Sequence, residues 1–321
     1  MRSLPLLAVL ACAAALSLLV ALLVGSVPLS VLEVLDSLFV QQQGIVHDIV
    51  WRLRMPRALA AFVCGALLAT SGVLLQVLLR NPLADPYVLG ISGGAALGAL
   101  GAMLAGSTLA VLNLAAFAGA AAAIAVVFAL SYRTGDWNPH RLLLTGVVLS
   151  SGFAALISLI LAVAPQAQLK GMLFWLMGDL SDAGASGPAW LLLGLLMAAY
   201  ARCAGSLDAL ALGALKARAL GVAVTPLQVF VFAGAAAATV AAVLLGGSIG
   251  FVGMMAPHAL RLLGVHAHRA LLPAAALAGG LFVVFADVLA RTLWAPQQLP
   301  VGVFTALIGV PVLLVLLSRR S

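Results

Sequence analysis

Charged residues are scarce in this sequence. Asp, Glu, Lys and Arg make up only 8% of its 321 residues, whereas 64% are hydrophobic, and the mean hydropathy is +1.22. A soluble domain carries roughly 25% charged residues. The composition therefore excludes a soluble protein built around a large core and indicates a membrane protein.

Acidic residues are especially few: nine in all, of which Glu33 is the only glutamate. Carriers driven by ion gradients usually keep carboxylates at mid-membrane, where they bind the proton or cation. Asp85 and Asp287 are the acids nearest to apolar segments, and neither falls at the middle of one. The pattern disfavours an ion-coupled secondary transporter but leaves it open as the alternative.

Nucleotide-binding and catalytic motifs are absent as well. The only lysines, Lys170 and Lys216, each follow a leucine, so the sequence has no G-x-x-x-x-G-K-[ST] phosphate loop. It also has no G-x-S-x-G nucleophile elbow and no H-E-x-x-H metal motif. We expect no catalytic residues and no enzymatic activity. Any ATP that drives the protein must be hydrolysed on another subunit.

Metal-binding and nucleic-acid-binding patterns are missing too. The three cysteines and five histidines have no metal-ligand spacing, so we expect no metal site and no cofactor on this chain. The net charge of +7 could suggest nucleic acid, but in so apolar a chain the basic residues are better interpreted as topology signals.

Long uncharged runs define the fold class. The two longest contain 46 residues (87–132) and 42 residues (219–260). About 20 apolar residues cross the bilayer as a helix, so each run must hold two spans or a span and a re-entrant piece. We predict an all-α polytopic membrane protein with about ten transmembrane helices. The spans fall near 4–25, 56–79, 88–106, 109–131, 142–164, 188–204, 226–246, 251–263, 270–290 and 301–318.

Two of these spans need comment. The first is too long for the apolar core of a signal peptide, which has about 7–15 residues, so we expect it to be retained. The eighth, 251–263, is short, which is typical of a partial helix buried in protein rather than facing lipid.

Orientation follows from the basic residues, because cytoplasmic loops are enriched in Lys and Arg. With a cytoplasmic N-terminus and ten alternating spans, eleven basic residues lie at inner ends and five at outer ends. The outer five are Arg52, Arg54, Arg57, Lys170 and Arg291. This distribution predicts that both termini are cytoplasmic.

Three outer arginines oppose this trend. Arg54 and Arg57 lie in "WRLRMPRALA", and Arg291 lies near the end of the ninth span. We interpret them as an outward-facing basic docking surface for a partner. Asp287 precedes Arg291 by four residues, so the two can share a helix face and pair. An ion pair at a helix end is therefore the competing interpretation.

A polar segment, residues 206–225, separates spans six and seven. Its sequence "SLDALALGALKARALGVAVT" can form two short helices hinged near Gly213. Two interpretations remain open: an amphipathic linker at the membrane interface, or a docking element for a cytoplasmic partner.

A second polar interruption, "RNPLADPYVLGISGGA", begins at Arg80. Pro82 and Pro86 stop the preceding helix, and Asn81 or Asp85 can cap exposed backbone groups. We predict that these four residues form a rigid structural corner on the inner side rather than a substrate site. Glycines beyond the corner, spaced by four residues, predict close packing of the third span.

These motifs resemble the FecCD family of permeases. The stretch "LRMPRALAAFVCGALLATSGVLLQVLLRNPLADPYVLGISGGA" matches the family signature, and "FWLMGDL", "LLGGSIGFVGMMAPHALRLLGVHAHRALLPAAALAGG" and "ADVLARTLWAPQQLPVGVFTALIGVPVLLVLL" match later blocks in order. The resemblance covers about residues 45–318. It implies a type II ABC importer permease fold, one transmembrane permease domain over residues 1–321, and a bacterial inner-membrane location.

The resemblance also implies partners and site residues. The partners are a second permease copy, two cytoplasmic ATPase subunits that bind ATP and Mg²⁺, and a periplasmic substrate-binding protein. Arg54, Arg57 and Arg291 would dock the binding protein, and Asn138, Pro139 and His140 would lie at the cytoplasmic gate. Segment 206–225 would couple to the ATPase through Leu207, Leu210, Leu212, Gly213, Lys216, Arg218, Leu220 and Gly221.

The expected function is thus a permease that moves a metal chelate by alternating access at a dimer interface. Ferric siderophores, haem and cobalamin are the cargoes of similar permeases. Iron chelates are favoured only because they are the commonest among relatives, with cobalamin close behind.

Overall fold

A computed structural model describes residues 3–25, 27–40, 44–131, 139–181, 183 and 186–318. All regular secondary structure in these ranges is helical. The α-helices are α1 (Ser3–Leu23), α2 (Val31–Phe39), α3 (Ile45–Asp48), α4 (Met55–Leu79), α5 (Ile91–Leu104), α6 (Leu109–Ser131), α7 (Pro139–Val163), α8 (Gln166–Met177), α9 (Gly187–Ala211), α10 (Ala214–Ala219), α11 (Val224–Gly246), α12 (Val252–Leu262), α13 (His268–Thr292) and α14 (Val301–Ser318). A π-helical turn, Ile49–Arg54, joins α3 to α4, and a 3₁₀ turn, Pro86–Leu89, precedes α5.

Each of the ten predicted spans corresponds to one helix, so the all-α polytopic fold is confirmed. Seven helical stretches among the described residues are long and apolar enough to cross a membrane, and α5 and α14 contribute shorter apolar segments. The predicted short eighth span is α12, and most of its residues are buried. Sequence analysis did not anticipate α2, α3 and α8, which lie between the predicted spans.

We call the two ends of this bundle outer and inner, following the orientation that the basic residues predict. Helix α4 runs through the middle, with 94% of its most apolar stretch buried. A Cβ on Gly65 would collide with the carbonyl oxygen of Gly279 on α13, and one on Gly72 would collide with that of Gly253 on α12. Because lipid supplies little hydrophobic drive between helices, such close backbone approach is what holds them together.

The glycine pattern after the corner is confirmed in part. Gly94 and Gly98 lie on α5 so close to α6 that a Cβ on either would collide with an α6 carbonyl. Gly90 does not continue this stripe. It precedes α5 with φ 74°, a left-handed conformation in which glycine is favoured.

Helix α7 is different, because only 6% of its most apolar stretch is buried. Small and hydroxyl-bearing residues lie along its exposed side, including Ser151, Gly152 and Ser158. A long apolar helix that its own chain leaves uncovered must face lipid, another subunit or a transport pathway.

Candidate functional site

The three arginines predicted to dock a partner, Arg54, Arg57 and Arg291, are brought together, and all three are buried. Arg54, Arg57 and Arg291 expose 5%, 8% and 7% of their surfaces. Arg54 ends the π-helical turn and donates to the carbonyl oxygens of Leu22 (2.6 Å), Leu23 (2.9 Å) and Val27. Its guanidinium group therefore satisfies carbonyls at the end of α1 that the helix itself cannot satisfy.

Arg57 and Arg291 share one carboxylate. The Nε of Arg57 donates to Oδ1 of Asp287 at 2.8 Å, and the Nε of Arg291 lies 3.0 Å from Oδ2. Arg57 also donates from Nη1 to Oε1 of Gln298 at 2.6 Å. The predicted pairing of Asp287 with Arg291 is thus present, and a third charged group joins it. We call Arg57, Asp287 and Arg291 the outer ion cluster.

The outer ion cluster connects helices that are distant in sequence. Arg57 lies in the first turn of α4, where Pro56 occupies an initial position that needs no N–H donor. Asp287 and Arg291 lie one turn apart on α13, and Arg291 also donates from Nη2 to the carbonyl of Ala21 on α1. Two guanidinium groups against one carboxylate leave the cluster with one excess positive charge.

The inner segment exposes apolar side chains, whereas the outer ion cluster buries charged ones. It is the last turns of α9 followed by α10, with Gly213 between them at φ 109°. Leu212, Leu215 and Leu220 expose 61%, 81% and 66% of their surfaces. Of the other predicted coupling residues, Leu207 and Leu210 are buried, whereas Lys216, Arg218 and Gly221 are exposed. We call Leu212, Leu215, Lys216, Arg218 and Leu220 the inner face.

The inner segment is tied to two neighbouring elements. Oδ1 of Asp208 on α9 accepts the backbone N–H of His268 at 2.9 Å and lies 2.5 Å from its Nδ1, so it caps α13 from another helix. Arg80 lies close to Gly213, since a Cβ there would come within 3.2 Å of its Nη1. Movement of the last turns of α9 and of Gly213 would therefore act on both α13 and the corner.

The corner is built from side-chain caps. Arg80 ends α4 in a left-handed conformation with φ 49°. Oδ1 of Asn81 accepts the N–H of Leu83, and Oδ1 of Asp85 accepts that of Tyr87, each at 2.9 Å. Burial raises the pKa of Asp85 to about 6, although the hydrogen bond from Tyr87 opposes the shift. That Asn81, Pro82, Asp85 and Pro86 serve structure alone stays a prediction.

Behind the corner, Gln76 joins α4 to α12. Its Nε2 lies 3.4 Å from the carbonyl of Gly253 and 3.3 Å from that of Met254, and its Oε1 accepts from Arg261. Sequence reasoning missed Gln76, Asp208 and Gln298 as organising residues. The only signal for these residues in the sequence is that each is polar and lies inside or beside an apolar run.

The predicted gate lies at the start of α7. Asn138 and the side chains of Pro139 and His140 are outside the described residues, so their role stays a prediction. Farther along α7, an open cavity of about 440 Å³ is lined by Val147, Ser150, Ser151 and Ala154 together with Tyr87 and Val88. Within the described part of the chain, no group of three or more His, Cys, Asp or Glu residues could hold a metal.

The FecCD transport family matches residues 13–319. The chain belongs to this family. The fold is that of its permeases, since the chain superposes with a TM-score of 0.85 on a solved inward-facing structure described as a metal-chelate type ABC transporter. That comparison has 30% identity and covers 99% of this chain and 100% of the other. The FecCD resemblance predicted from the motifs is confirmed.

Curated relatives agree with this assignment. The chain is 38% identical over 278 residues to the vitamin B12 import system permease protein BtuC of Citrobacter koseri, which covers 84% of each chain. It is 40% identical over 279 residues to the cobalamin import system permease protein BtuC of Halobacterium salinarum, which covers 85% of this chain and 74% of the other. This FecCD protein is therefore a membrane permease with a role in transport.

Proposed function

We propose that this FecCD protein is the membrane subunit of an ATP-driven importer of a metal chelate, resident in the inner membrane with both termini cytoplasmic. Two copies would enclose the transport pathway, two ATPase subunits would bind below, and a substrate-binding protein would bind above. The whole chain would act as one permease domain, with residues 206–225 as its coupling segment.

The inner face is the observation that carries this proposal. Its three leucines are strongly exposed at the end of a membrane bundle, beside Lys216 and Arg218. Apolar groups exposed together in this way are typical of a protein interface. Because the sequence contains no phosphate loop, a separate ATPase subunit is the partner that a transporter of this family requires.

The outer ion cluster supports a contact with a different partner, the substrate-binding protein, at the outer end of the bundle. Its excess positive charge favours a partner that presents carboxylates, and guanidinium groups bind carboxylates through paired hydrogen bonds. A substrate-binding protein with acidic residues on its docking side would meet this requirement.

Helix α7 supports a dimer with a central pathway. Beyond Arg141, its exposed side consists of small, hydroxyl and aliphatic residues, which offer few strong contacts to a polar cargo. Nucleotide binding would move the ATPase subunits and the inner faces attached to them, and so open the pathway to one side at a time. Asn138, Pro139 and His140 would close its cytoplasmic end.

We propose a corrinoid as the cargo. The relatives described above are named as vitamin B12 or cobalamin permeases, which reverses the preference for iron chelates that the sequence alone gave. Haem and ferric siderophores are the competing cargoes.

Uptake into vesicles tests both the ATP-driven mechanism and the proposed cargo. The permease and its ATPase are reconstituted with binding protein outside and ATP inside, and labelled cobalamin, haem and a ferric siderophore are supplied separately. We expect accumulation of cobalamin that requires ATP. Accumulation of another chelate would refute the cargo alone, whereas ATP-independent uptake abolished by an uncoupler would favour an ion-coupled carrier.

A further inference from the structure

The carboxylate of Asp287 lies deeper than the two arginines that it contacts. It is 1% exposed, whereas Arg57 and Arg291 retain 8% and 7%. Each of its oxygens meets the Nε edge of a different guanidinium group, at 2.8 and 3.0 Å. Asp287 therefore fixes the orientation of both groups from their buried side.

Each arginine has donors beyond those that face Asp287. Nη1 of Arg57 is bound by Gln298, while its Nη2 is buried without a hydrogen-bond partner among the described residues. A buried donor left unpaired is energetically unfavourable. Nε of Arg291 and Oδ2 of Asp287 are also buried without a hydrogen-bond partner among the described residues, so their 3.0 Å contact is an ion pair. The observation that favours one further anion at the outer ion cluster is its excess positive charge, two guanidinium groups against one carboxylate.

We propose that Asp287 is a positioning residue for docking, and that it holds Arg57 and Arg291 ready for a carboxylate of the substrate-binding protein. This inference rests on the proposed function. Asp287 does not give up its place to the incoming carboxylate, because it lies beneath the arginines rather than between them and the solvent. Docking adds a second carboxylate to a preformed pair of guanidinium groups.

A positioning role for Asp287 predicts the opposite of what its charge alone would predict for the affinity of docking. If Asp287 acted only through its charge, its neutralisation would increase the attraction for an acidic partner. If it positions the arginines, disturbing it weakens docking even where the net charge becomes more favourable, because two flexible guanidinium groups must then be ordered during binding.

Asp287→Glu is the decisive variant. It keeps the charge but adds a methylene group, which displaces both guanidinium groups. Asp287→Asn leaves two buried guanidinium groups without a counter-charge and is expected to lower stability, so it is interpreted only if it assembles. Asp48→Asn is the matched control, because Asp48 is an exposed outer acid that pairs with exposed Arg52 and belongs to no part of the cluster.

The measurement is the affinity of the labelled binding protein for the permease–ATPase complex in nanodiscs. We expect Asp287→Glu to weaken docking about tenfold, and Asp287→Asn to weaken it as well, with little change for Asp48→Asn. Melting temperature and recovery of the ATPase with each variant establish that the complex is intact.

A double-mutant cycle separates positioning from a general structural role. In an Arg57→Gln background, Asp287→Glu should cost clearly less affinity than in the wild type, because one of the groups that it positions is gone. Unchanged docking by an intact Asp287→Glu complex, or additive losses in the cycle, would overturn the inference. Failure of the wild-type complex to bind the binding protein would instead overturn the proposed function.

Discussion

At the outer end of α13, Asp287 and Arg291 are buried in an ion cluster, whereas at its inner end His268 is tied to a segment whose leucines are exposed. Both regions are candidate docking sites, and both depend on the same helix. The outer site uses charges, which must be held in place because an unpaired buried charge is strongly destabilising. The inner site uses apolar surface, which needs no fixed orientation and so can stay uncovered until a partner binds.

The comparison separates two uses of arginine at the outer end. Arg54 donates hydrogen bonds to carbonyl oxygens at and just beyond the end of α1, so it stabilises the fold of this chain. Arg57 and Arg291 instead contact a side-chain carboxylate, that of Asp287. The three arginines therefore make different contacts within the chain, and that all three dock a binding protein stays a prediction.

The largest expected effect concerns the inner face. Leu215→Ala with Leu220→Ala should weaken binding of the ATPase subunit about a hundredfold, since burying each leucine contributes about 1.5–3 kcal/mol. Co-purification and titration of the ATPase measure this loss. Leu191→Ala with Leu195→Ala, two similarly exposed positions on α9, is the control. Equal weakening by both pairs would contradict a specific inner face.

The next effect concerns Arg54. Arg54→Ala should lower the free energy of unfolding by about 2 kcal/mol, because it removes the donors for one buried and two partly buried carbonyl oxygens. Arg52→Ala, two positions away, removes only an exposed ion pair with Asp48 and should change stability by less than about 1 kcal/mol. Melting in detergent compares the two. If they melt alike, Arg54 does not have the structural role assigned to it.

The smallest effect concerns the corner. The folded protein binds a proton at Asp85 more tightly than the unfolded chain does, because burial raises its pKa from 3.8 to about 6. This stabilisation is fully present below about pH 4 and is lost as the pH rises through 6. Over this pH range the free energy of unfolding should fall by about 1 kcal/mol. The change is small because the side chain is partly exposed to solvent.

Asp85→Asn isolates this contribution. The asparagine keeps an oxygen that can accept the N–H of Tyr87 but cannot titrate, so the variant should lose less stability than the wild type between pH 4 and 7. Melting curves across this range measure the difference, with Asp48→Asn as the control for loss of an exposed acid. Parallel pH profiles for the wild type and Asp85→Asn would show that Asp85 does not titrate in this way.

The spans were predictable because lipid imposes a simple requirement: a helix of sufficient length and few charges. The corner was predictable in outline, because proline and Asx residues act on backbone within a few positions. The contact of Asp208 with His268 was not, because these residues are sixty positions apart and Asp208 resembles any solvated acid at a helix end. The same limit applies to Gln298, whose role depends on Arg57 far away in the sequence.

The sequence by itself therefore determined the class of protein, the positions of its ten predicted spans and the family to which it belongs. Each of these follows from local composition or from motifs of adjacent residues. The tertiary structure alone decided which arginine caps α1, which two share Asp287, and which leucines of segment 206–225 are buried or exposed. These properties depend on how helices cross, and side chains distant in sequence acquire their electrostatic surroundings only when the helices are packed.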